Sequence, residues 1–522
     1  MRLGAKVLFG VASIVYLGAS VWLARLEQAG PVQSDLQLAG RIPATLYLPE
    51  AATPGRFGLP DPPPRGERPP AVVLVHGFSS DRVAMSSLAR RIAASGYAVL
   101  AIDVRGHGTN PNPFPDGRGR PDSLAADLAA AVDHLRVSPW VDGSKIVVMG
   151  HSMGASAALD FATRDSAIAG VVPISGGSGM TGPQTPRNVL FIWAAGDPPR
   201  LRERAAVLAG RLAGVDEPEP GHTYGDVTRG TAVRAVEVPG VDHLTILWSE
   251  PAAAEIVAWL DGVFGTQRAE AAPPLAEPRL AAFGVAIAAA TVLLAGVGWV
   301  AGRLTRGLEE RPARGGALGL VAIAGALLVA MPFVSIGVPA SFLALEVGDV
   351  VASLFAIAGA VLLVALALRG DTGRFPPLRG VLAGAAVGFL GVYILLTPIG
   401  VVGHHMSFER GRLLPFAGMT LLLLPFFVAF EALLRRGRPA TATLLGVCGR
   451  VVLLGMTFLG VQLGVVPPVV MLMLPTLALL FVLFEVFAAG CYVASGNWLV
   501  IALVESAWLA WSTAVTSPLT AG

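Results

Sequence analysis

Cysteine is nearly absent from this chain of 522 residues, which contains two. Cys448 and Cys491 both lie in apolar stretches near the C-terminal end, so the polar part of the chain offers neither a disulfide framework nor a paired-cysteine metal site. We therefore expect the polar part to fold without cross-links, metal or other cofactor. The lack of cysteine is compatible with an oxidising compartment but does not require one.

Charged residues are also scarce. They make up 14% of the chain, whereas 54% of its residues are hydrophobic, and the formal net charge is +2. Lysine is rare beside arginine, and the sequence has no basic stripe that would indicate nucleic-acid binding. A chain this apolar is not typical of ordinary soluble domains, so we predict that part of it lies in the lipid bilayer.

The first apolar segment runs from Val7 to Ala24, is preceded by Arg2 and Lys6, and is closed by Arg25. A cleaved signal peptide and an uncleaved anchor both fit this pattern, but the run is longer than the usual signal core, which favours the anchor. We predict an N-terminal transmembrane anchor over residues 1–25. The basic residues ahead of it place the N-terminus in the cytoplasm.

Between residues 33 and 263 short β-branched runs alternate with amphipathic stretches. This alternation predicts a mostly parallel sheet with helices on both faces. The clearest buried strands are residues 71–75, 98–102, 146–149 and 189–193, and the clearest helices are residues 82–95, 123–135 and 154–163.

A polar, proline-rich linker over residues 264–279 is followed by apolar segments to the end of the chain. Eight of these segments are long enough to span a bilayer: 280–301, 317–338, 345–368, 380–402, 413–434, 440–463, 467–490 and 497–518. We therefore predict a polytopic membrane domain of about eight helices over residues 280–522.

Arginines cluster in alternate loops of the predicted membrane domain. The three groups are Arg303, Arg306, Arg311 and Arg314, then Arg369, Arg374 and Arg379, then Arg435, Arg436 and Arg438. If these loops are cytoplasmic, as the positive-inside rule requires, the 33–263 domain lies on the extracytoplasmic face. Arg2 and Lys6 lead to the same orientation, whereas the loop with Glu409, Arg410 and Arg412 is the one outer loop that departs from it.

The clearest chemical motif is Gly150-His151-Ser152-Met153-Gly154, which follows one predicted strand and precedes a predicted helix. Its glycines allow the sharp turn that exposes a serine hydroxyl at the end of a sheet. The N–H groups at the start of the helix favour a developing negative charge. We predict that Ser152 is a nucleophile; the alternative is a chance match to a short pattern.

A serine nucleophile needs a base, and the base needs an orienting carboxylate. Asp197 follows the strand 189–193, and His243 follows a strand over 232–238, which gives the order Ser, Asp, His. Asp242 is a rival acid and His222 a rival base. Asp197 and His243 are preferred, because loop neighbours such as Asp242 and His243 rarely face each other and no strand precedes His222.

His76-Gly77-Phe78 directly follows the strand 71–75, at the position of an oxyanion loop. We predict that the backbone N–H groups of Phe78 and Met153 would stabilise a tetrahedral oxyanion. His76 is interpreted as shaping this loop and not as a catalytic group.

These motifs, in this order, resemble the α/β-hydrolases, in the branch of small serine esterases, lipases and serine aminopeptidase-like enzymes. The resemblance covers about residues 35–263 and implies acyl transfer through an acyl-enzyme on Ser152, most often to water. Because the chain between the strand 168–173 and Asp197 is short, no large lid domain is inserted there.

Several ionisable residues fall inside the apolar segments. They are Glu431, Arg450, Glu485 and Glu505, with Glu346 and Asp349. Such groups are costly in lipid unless they are paired or face water, so they form a possible intramembrane polar site. The alternative is that Arg450 pairs with Glu485 or Glu505 and only holds helices together.

A second resemblance concerns the C-terminal part of the chain. The segments 430–435, 458–462 and 496–505 are similar to a degraded CAAX-protease-like membrane domain. Phe430 stands where that family has a glutamate, and Gln462 and Glu505 stand where it has histidines. The resemblance implies that the intramembrane protease chemistry is lost.

The sequence therefore predicts an α/β-hydrolase domain joined to an α-helical transmembrane bundle. The leading hypothesis is a membrane-embedded serine hydrolase that acts on an ester, lipid or peptide acyl group. A second hypothesis is a transporter or channel with an accessory hydrolase domain that binds or trims its cargo. A third is a binding module with an unused triad.

Overall fold

The computed structural model describes residues 3–49, 61–115, 117–177, 180, 182, 185–267, 277–305, 316–337, 342–368 and 377–521. It divides into two compact units. The sheet unit comprises residues 24–281 and 401–405, and the bundle unit comprises residues 1–23, 282–400 and 406–522. Most of the predicted linker lies outside the described residues, as do Arg306, Arg311, Arg314, Arg369 and Arg374 of the predicted cytoplasmic loops.

The described residues of the sheet unit form one sheet of nine strands. In chain order these are β1 (Val32–Leu38), β2 (Ile42–Leu48), β3 (Ala71–Val75), β4 (Ala98–Ile102), β5 (Ile146–His151), β6 (Gly170–Ile174), β7 (Val189–Ala194), β8 (Thr223–Tyr224) and β9 (Val233–Val238). The spatial order is β1-β2-β4-β3-β5-β6-β7-β9-β8. The six strands from β4 to β9 in that order run parallel, whereas β1, β2 and β8 are antiparallel additions at the two ends.

Helices cover both faces of this sheet. They are α2 (Ser86–Ala94), α3 (Arg120–Val137), α4 (Met153–Ala162), α5 (Pro199–Ala213) and α6 (Glu250–Phe264), and α1 (Leu3–Gln28) precedes them. Alternate residues of a strand point to opposite faces, so Val73 packs with Leu128 of α3 and Leu159 of α4 in one core. Val72 and Leu74 instead belong to a second core, with residues of α2 and α6.

Burial on both faces explains why the central strands are continuous apolar runs and not alternating ones. Every residue of β3, β4 and β5 is buried, as expected for parallel strands between two helical layers. The helix predicted over 82–95 begins later, at Ser86, because the Asp81 carboxylate accepts the N–H groups of Val83 and Ala84 and forms a turn there.

The bundle unit consists of helices. After the first part of α1 come α7 (Pro278–Arg303), α8 (Gly316–Gly337), α9 (Gly348–Leu368), α10 (Leu378–Leu396), α11 (Arg410–Leu434), α12 (Pro439–Gln462), α13 (Val469–Ser495) and α14 (Trp498–Thr516). Within the described residues, α1 and α7–α14 make nine helices that are long and apolar enough to cross a membrane. The predicted fold class, a mostly parallel sheet with helices on both faces plus a helical bundle, is confirmed.

Glycines allow the helices of the bundle unit to approach closely. A Cβ added at Gly298 of α7 would lie 2.1 Å from the carbonyl oxygen of Phe487, and one at Gly490 of α13 would lie 2.1 Å from that of Ala295. The backbones of α7 and α13 are therefore in direct contact, a packing mode typical of helices in lipid.

Candidate active site

Ser152 occupies a sharp turn between β5 and α4. Its backbone has φ 54° and ψ −111°, a left-handed conformation that a residue with a side chain adopts rarely and that is concentrated at functional sites. A Cβ at Gly150 would lie 2.1 Å from the carbonyl oxygen of Gly154, and one at Gly154 would lie 2.5 Å from those of Val75 and His76. Both glycines of the motif are thus required by backbone contacts.

The structure brings Ser152, His243 and Asp197 together. The Oγ of Ser152 lies 3.0 Å from Nε2 of His243, and Nδ1 of His243 lies 2.6 Å from Oδ1 of Asp197. The three side chains come from the loops after β5, β9 and β7, which end at the same edge of the sheet. This arrangement can transfer the serine proton to the imidazole while the carboxylate orients the ring.

The Asp197 carboxylate is buried, and both of its oxygens accept hydrogen bonds. Oδ1 faces His243, and Oδ2 accepts the hydroxyl of Ser175 at 2.6 Å and the N–H of Ala194 at 2.9 Å. Burial by itself would raise the pKa of this carboxyl, but the hydrogen bonds from His243 and Ser175 outweigh it and hold the pKa below its ordinary value. Asp197 is therefore held as a carboxylate.

The two rival residues are engaged elsewhere. The Asp242 carboxylate accepts the N–H groups of Leu244 and Thr245 and the Thr245 hydroxyl, and so closes its own turn. His222 is exposed and contacts the ring of Tyr224. In this arrangement neither rival stands in the position that Asp197 or His243 occupies.

The predicted oxyanion loop passes beside the nucleophile. A Cβ at Gly77 would lie 3.2 Å from the Cβ of Ser152, so the chain around Phe78 runs directly past it. Met153 is the first residue of α4, where backbone N–H groups lack helical partners. Phe78 thus directly follows a residue that contacts Ser152, and Met153 directly follows Ser152 itself. The half-buried ring of Phe78 packs edge-on to His107 and Phe114.

His76 is fully buried and joins two loops of the site. Its Nε2 accepts the N–H of Val104 at 3.2 Å, so Nδ1 carries the hydrogen and donates it to the Gly77 carbonyl at 2.7 Å. Burial lowers the pKa of His76, in agreement with a neutral ring. This geometry supports its interpretation as a residue that shapes the loop.

Two residues near the triad were missed by sequence reasoning. Ser175, with φ 47°, directly follows β6 and holds Asp197; its position at the end of the strand next to β7 was the available signal. His151, inside the serine motif, is buried with Nε2 2.8 Å from the carbonyl oxygen of His243. Burial and the neighbouring His243 lower the pKa of His151 to about 3, so the ring is neutral and its Nε2–H donates.

The four predicted polar residues of the membrane domain meet within the bundle unit. Arg450 contacts Glu431, Glu485 and Glu505. Arg435, interpreted above as a loop cation, is instead buried at the end of α11, where it binds Glu431 and Glu485. The residues 435–438 do connect α11 to α12, but Arg435 and Arg436 are buried there and do not face water as loop cations usually do. The sequence also predicted Glu346 and Asp349 inside apolar segments. Asp349 lies at the start of α9, and its carboxylate accepts the N–H of Leu343.

The match to a known protein family lies within the sheet unit. Residues 66–204 match the family described as serine aminopeptidase S33. The matched range includes Ser152 and Asp197 but ends before His243. The matched family model lies outside the C-terminal bundle, so the CAAX-protease-like resemblance receives no support from it.

Two similar proteins are known as hydrolases. A bis(hydroxyethyl) terephthalate hydrolase of Streptomyces coelicolor is 31% identical over 147 residues, 27% of this chain and 40% of that protein. The cutinase cut1 of Thermobifida fusca is 27% identical over 188 residues, 34% of this chain and 55% of that protein. Each match thus spans less than two thirds of the relative's own length.

Among solved structures, a hypothetical protein from Pseudomonas aeruginosa is similar to this chain, with a TM-score of 0.32 and 17% sequence identity. The alignment covers 45% of this chain and 94% of that protein's chain. The sheet topology and the family match are the stronger findings. The chain therefore carries an α/β-hydrolase domain that is similar to serine aminopeptidases and cutinases.

Proposed function

We propose that this chain is a membrane-embedded serine hydrolase that cleaves acyl esters through an acyl-enzyme on Ser152. The observation that carries the proposal is the continuous set of contacts from the Ser152 hydroxyl through His243 to Asp197, at 3.0 and 2.6 Å. The strained turn at Ser152 and the adjacent oxyanion loop support it.

The reaction follows from this geometry in two steps. His243 accepts the proton of Ser152 as Oγ attacks the acyl carbonyl, and it then protonates the leaving alcohol as the carbon–oxygen bond breaks. Water, deprotonated by His243, attacks the acyl-enzyme, and Ser152 recovers its proton when the acid leaves. In both steps the N–H groups of Phe78 and Met153 stabilise the oxyanion.

The ester class is favoured over peptide acyl groups by the relatives. One is a hydrolase of bis(hydroxyethyl) terephthalate, which is an ester, and another is a cutinase. The serine aminopeptidase match keeps peptide substrates as the alternative within the same chemistry.

Membrane embedding is the second part of the proposal. Leu318, Val321 and Leu421 are each 69% exposed on the helices of the bundle unit, as expected for side chains that contact lipid. The lipid bilayer is then a partner of the whole chain, and from the arginines in alternate loops of the sequence we expect the sheet unit on the extracytoplasmic face.

Activity-based labelling tests the hydrolase. A fluorophosphonate probe should label the full-length protein in membranes, and Ser152→Ala should abolish both labelling and hydrolysis of a short-chain nitrophenyl ester. Ser144→Ala is the matched control, because it removes the same hydroxyl group from an exposed turn, where Ser144 donates to Asp142 at 2.6 Å. Labelling that persists in Ser152→Ala would refute the proposed nucleophile.

A further inference from the structure

Five ionisable side chains of the bundle unit form one buried group, here called the ion cluster. Its members are Glu431 of α11, Arg435 directly after that helix, Arg450 of α12, Glu485 of α13 and Glu505 of α14. Their side chains are between 0% and 9% exposed. The Ser152 chemistry does not use any of them, so the cluster requires its own explanation.

The contacts within the ion cluster are unequal. Glu485 uses both oxygens: Oε1 accepts from Arg435 at 2.6 Å, and Oε2 accepts from Arg435 at 2.7 Å and from Arg450 at 2.5 Å. Glu431 accepts from Arg435 at 2.6 Å and lies 3.5 Å from Arg450. Glu505 accepts from Arg450 through Oε1.

The charges of the ion cluster do not balance. In the part of the chain that the structure describes, the three carboxylates of the cluster pair with its two guanidinium groups, so the cluster carries a net charge of −1 when all five members are ionised. Among the described residues, Oε2 of Glu505 is buried without a hydrogen-bond partner, and Oε1 of Glu431 has only the 3.5 Å ion pair with Arg450. An uncompensated charge in such surroundings is strongly destabilising.

We propose that the ion cluster is a proton-binding site and that Glu505 carries the proton. Glu485 accepts hydrogen bonds from both arginines, and Glu431 also faces both, whereas Glu505 is hydrogen-bonded to Arg450 alone. A proton on Glu505 makes the cluster neutral. Among the described residues, two further ionisable groups lie near these side chains: the buried thiol of Cys491 in α13, and Arg436, the buried chain neighbour of Arg435, whose Nε donates to the carbonyl oxygen of Ala432.

The tight enclosure of the cluster favours a proton over a larger cation. A Cβ added at Gly446 of α12 would lie 2.4 Å from Oε2 of Glu485 and 2.8 Å from both terminal nitrogens of Arg435. The backbone of α12 therefore already contacts the charged atoms. A proton neutralises the third carboxylate without occupying additional volume, which a metal ion cannot do.

Infrared difference spectroscopy tests the site on the full-length protein in lipid vesicles at about neutral pH. The spectrum of the wild type minus that of Glu505→Gln should contain the carbonyl stretch of a protonated carboxyl group, with a shift in heavy water. Glu485→Gln is the matched control, and its difference spectrum should contain carboxylate bands instead. Asp349→Asn identifies any contribution from Asp349, a buried acid of α9 outside the cluster.

Thermal unfolding provides a second measurement. Because glutamine is a neutral isostere of protonated glutamic acid, Glu505→Gln should change Tm by less than about 2 °C, whereas Glu485→Gln, which breaks buried ion pairs, should lower it by more than about 6 °C. The proposal would be overturned if the infrared difference spectrum of Glu505→Gln showed the loss of a carboxylate band. It would also be overturned if Glu505→Gln were as strongly destabilised or misfolded as Glu485→Gln. The triad and its labelling are unaffected by either result.

Discussion

The individual side chains of the candidate site are held by contacts that lie one step behind the reacting atoms. Both carboxylate oxygens of Asp197 accept hydrogen bonds, from His243 and Ser175. The Nε2–H of His151 donates to the carbonyl oxygen of His243 and so holds the loop that carries His243. Preorganised contacts of this kind reduce the reorganisation that the reaction would otherwise require. The hydrogen bonds of Ser175 and His151 can each be removed by a single substitution.

The Ser175 hydroxyl is expected to matter for turnover. Ser175→Ala removes one donor to the Asp197 carboxylate, which raises the pKa of Asp197 and loosens its orientation of His243. We expect kcat on a nitrophenyl ester to fall about tenfold with KM nearly unchanged. Ser144→Ala, which removes an equivalent hydrogen bond on the surface, should leave kcat unchanged, and equal effects of the two substitutions would contradict this role.

His151 should make the sheet unit sensitive to acid. Below its ordinary pKa of 6.5 the unfolded chain binds a proton at His151, but the folded protein excludes that proton down to about pH 3. Lowering the pH through this window therefore favours unfolding. In His151→Gln the fall of Tm between about pH 6 and 4 should be shallower by about 3–5 °C per pH unit, as measured by thermal scans at a constant heating rate.

Some acid sensitivity should remain in His151→Gln. Burial lowers the pKa of His76 too, so lowering the pH also favours unfolding through His76. An identical slope in the wild type and in the variant would show that His151 is protonated in the folded protein.

At the scale of elements, the turn from β5 into α4 is the most constrained connection of the sheet unit. Ser152 keeps its left-handed backbone because its N–H donates to Ile174 at 2.8 Å and because α4 packs directly against the end of β3. The strain at Ser152 is thus balanced by contacts with the neighbouring strands β6 and β3.

Gly150→Ala tests this connection. The added methyl group would lie 2.1 Å from the carbonyl oxygen of Gly154, so we expect a loss of about 2–4 kcal/mol of stability and of fluorophosphonate labelling. Gly262→Ala in α6 is the control, because nothing lies within 4 Å of its added Cβ and alanine should stabilise that helix by about 0.5–1 kcal/mol. Normal labelling and Tm in Gly150→Ala would exclude the strained turn.

At the scale of the whole molecule, the two units are suited to different solvents. The sheet unit has its apolar residues in two cores, one on each face of its sheet. The bundle unit exposes large apolar side chains on its helices and buries the five ionisable side chains of the ion cluster. This inversion is expected for a chain that lies partly in water and partly in lipid.

The orientation can be tested with two exposed positions. In a background without Cys448 and Cys491, Ser144→Cys of the sheet unit should react with an impermeant maleimide from the extracytoplasmic side, and Arg438→Cys, which precedes α12, from the cytoplasmic side. Reaction of both cysteines from the same side would exclude the proposed topology. Retention of the full chain in the membrane pellet after alkaline extraction is the accompanying control for embedding.

The sequence by itself determined the features that depend on short-range patterns. Apolar length and periodicity indicated the strands and the long helices, since a parallel strand buried on both faces and a membrane-length helix are each continuous apolar runs. The serine motif, the acid and the base could be predicted in order, because the ends of parallel strands bring residues distant in sequence to one edge of a sheet.

Tertiary structure alone decided which donors hold those residues and which charges meet. Ser175 and His151 carry no motif of their own, and their roles arise from the neighbouring positions of β5, β6 and the His243 loop. Charge at the end of an apolar run usually faces water, yet Arg435, which directly follows α11, is buried and pairs with Glu431 of α11 and Glu485 of α13. Such pairings depend on side-chain direction across separate elements, which no local pattern in the sequence records.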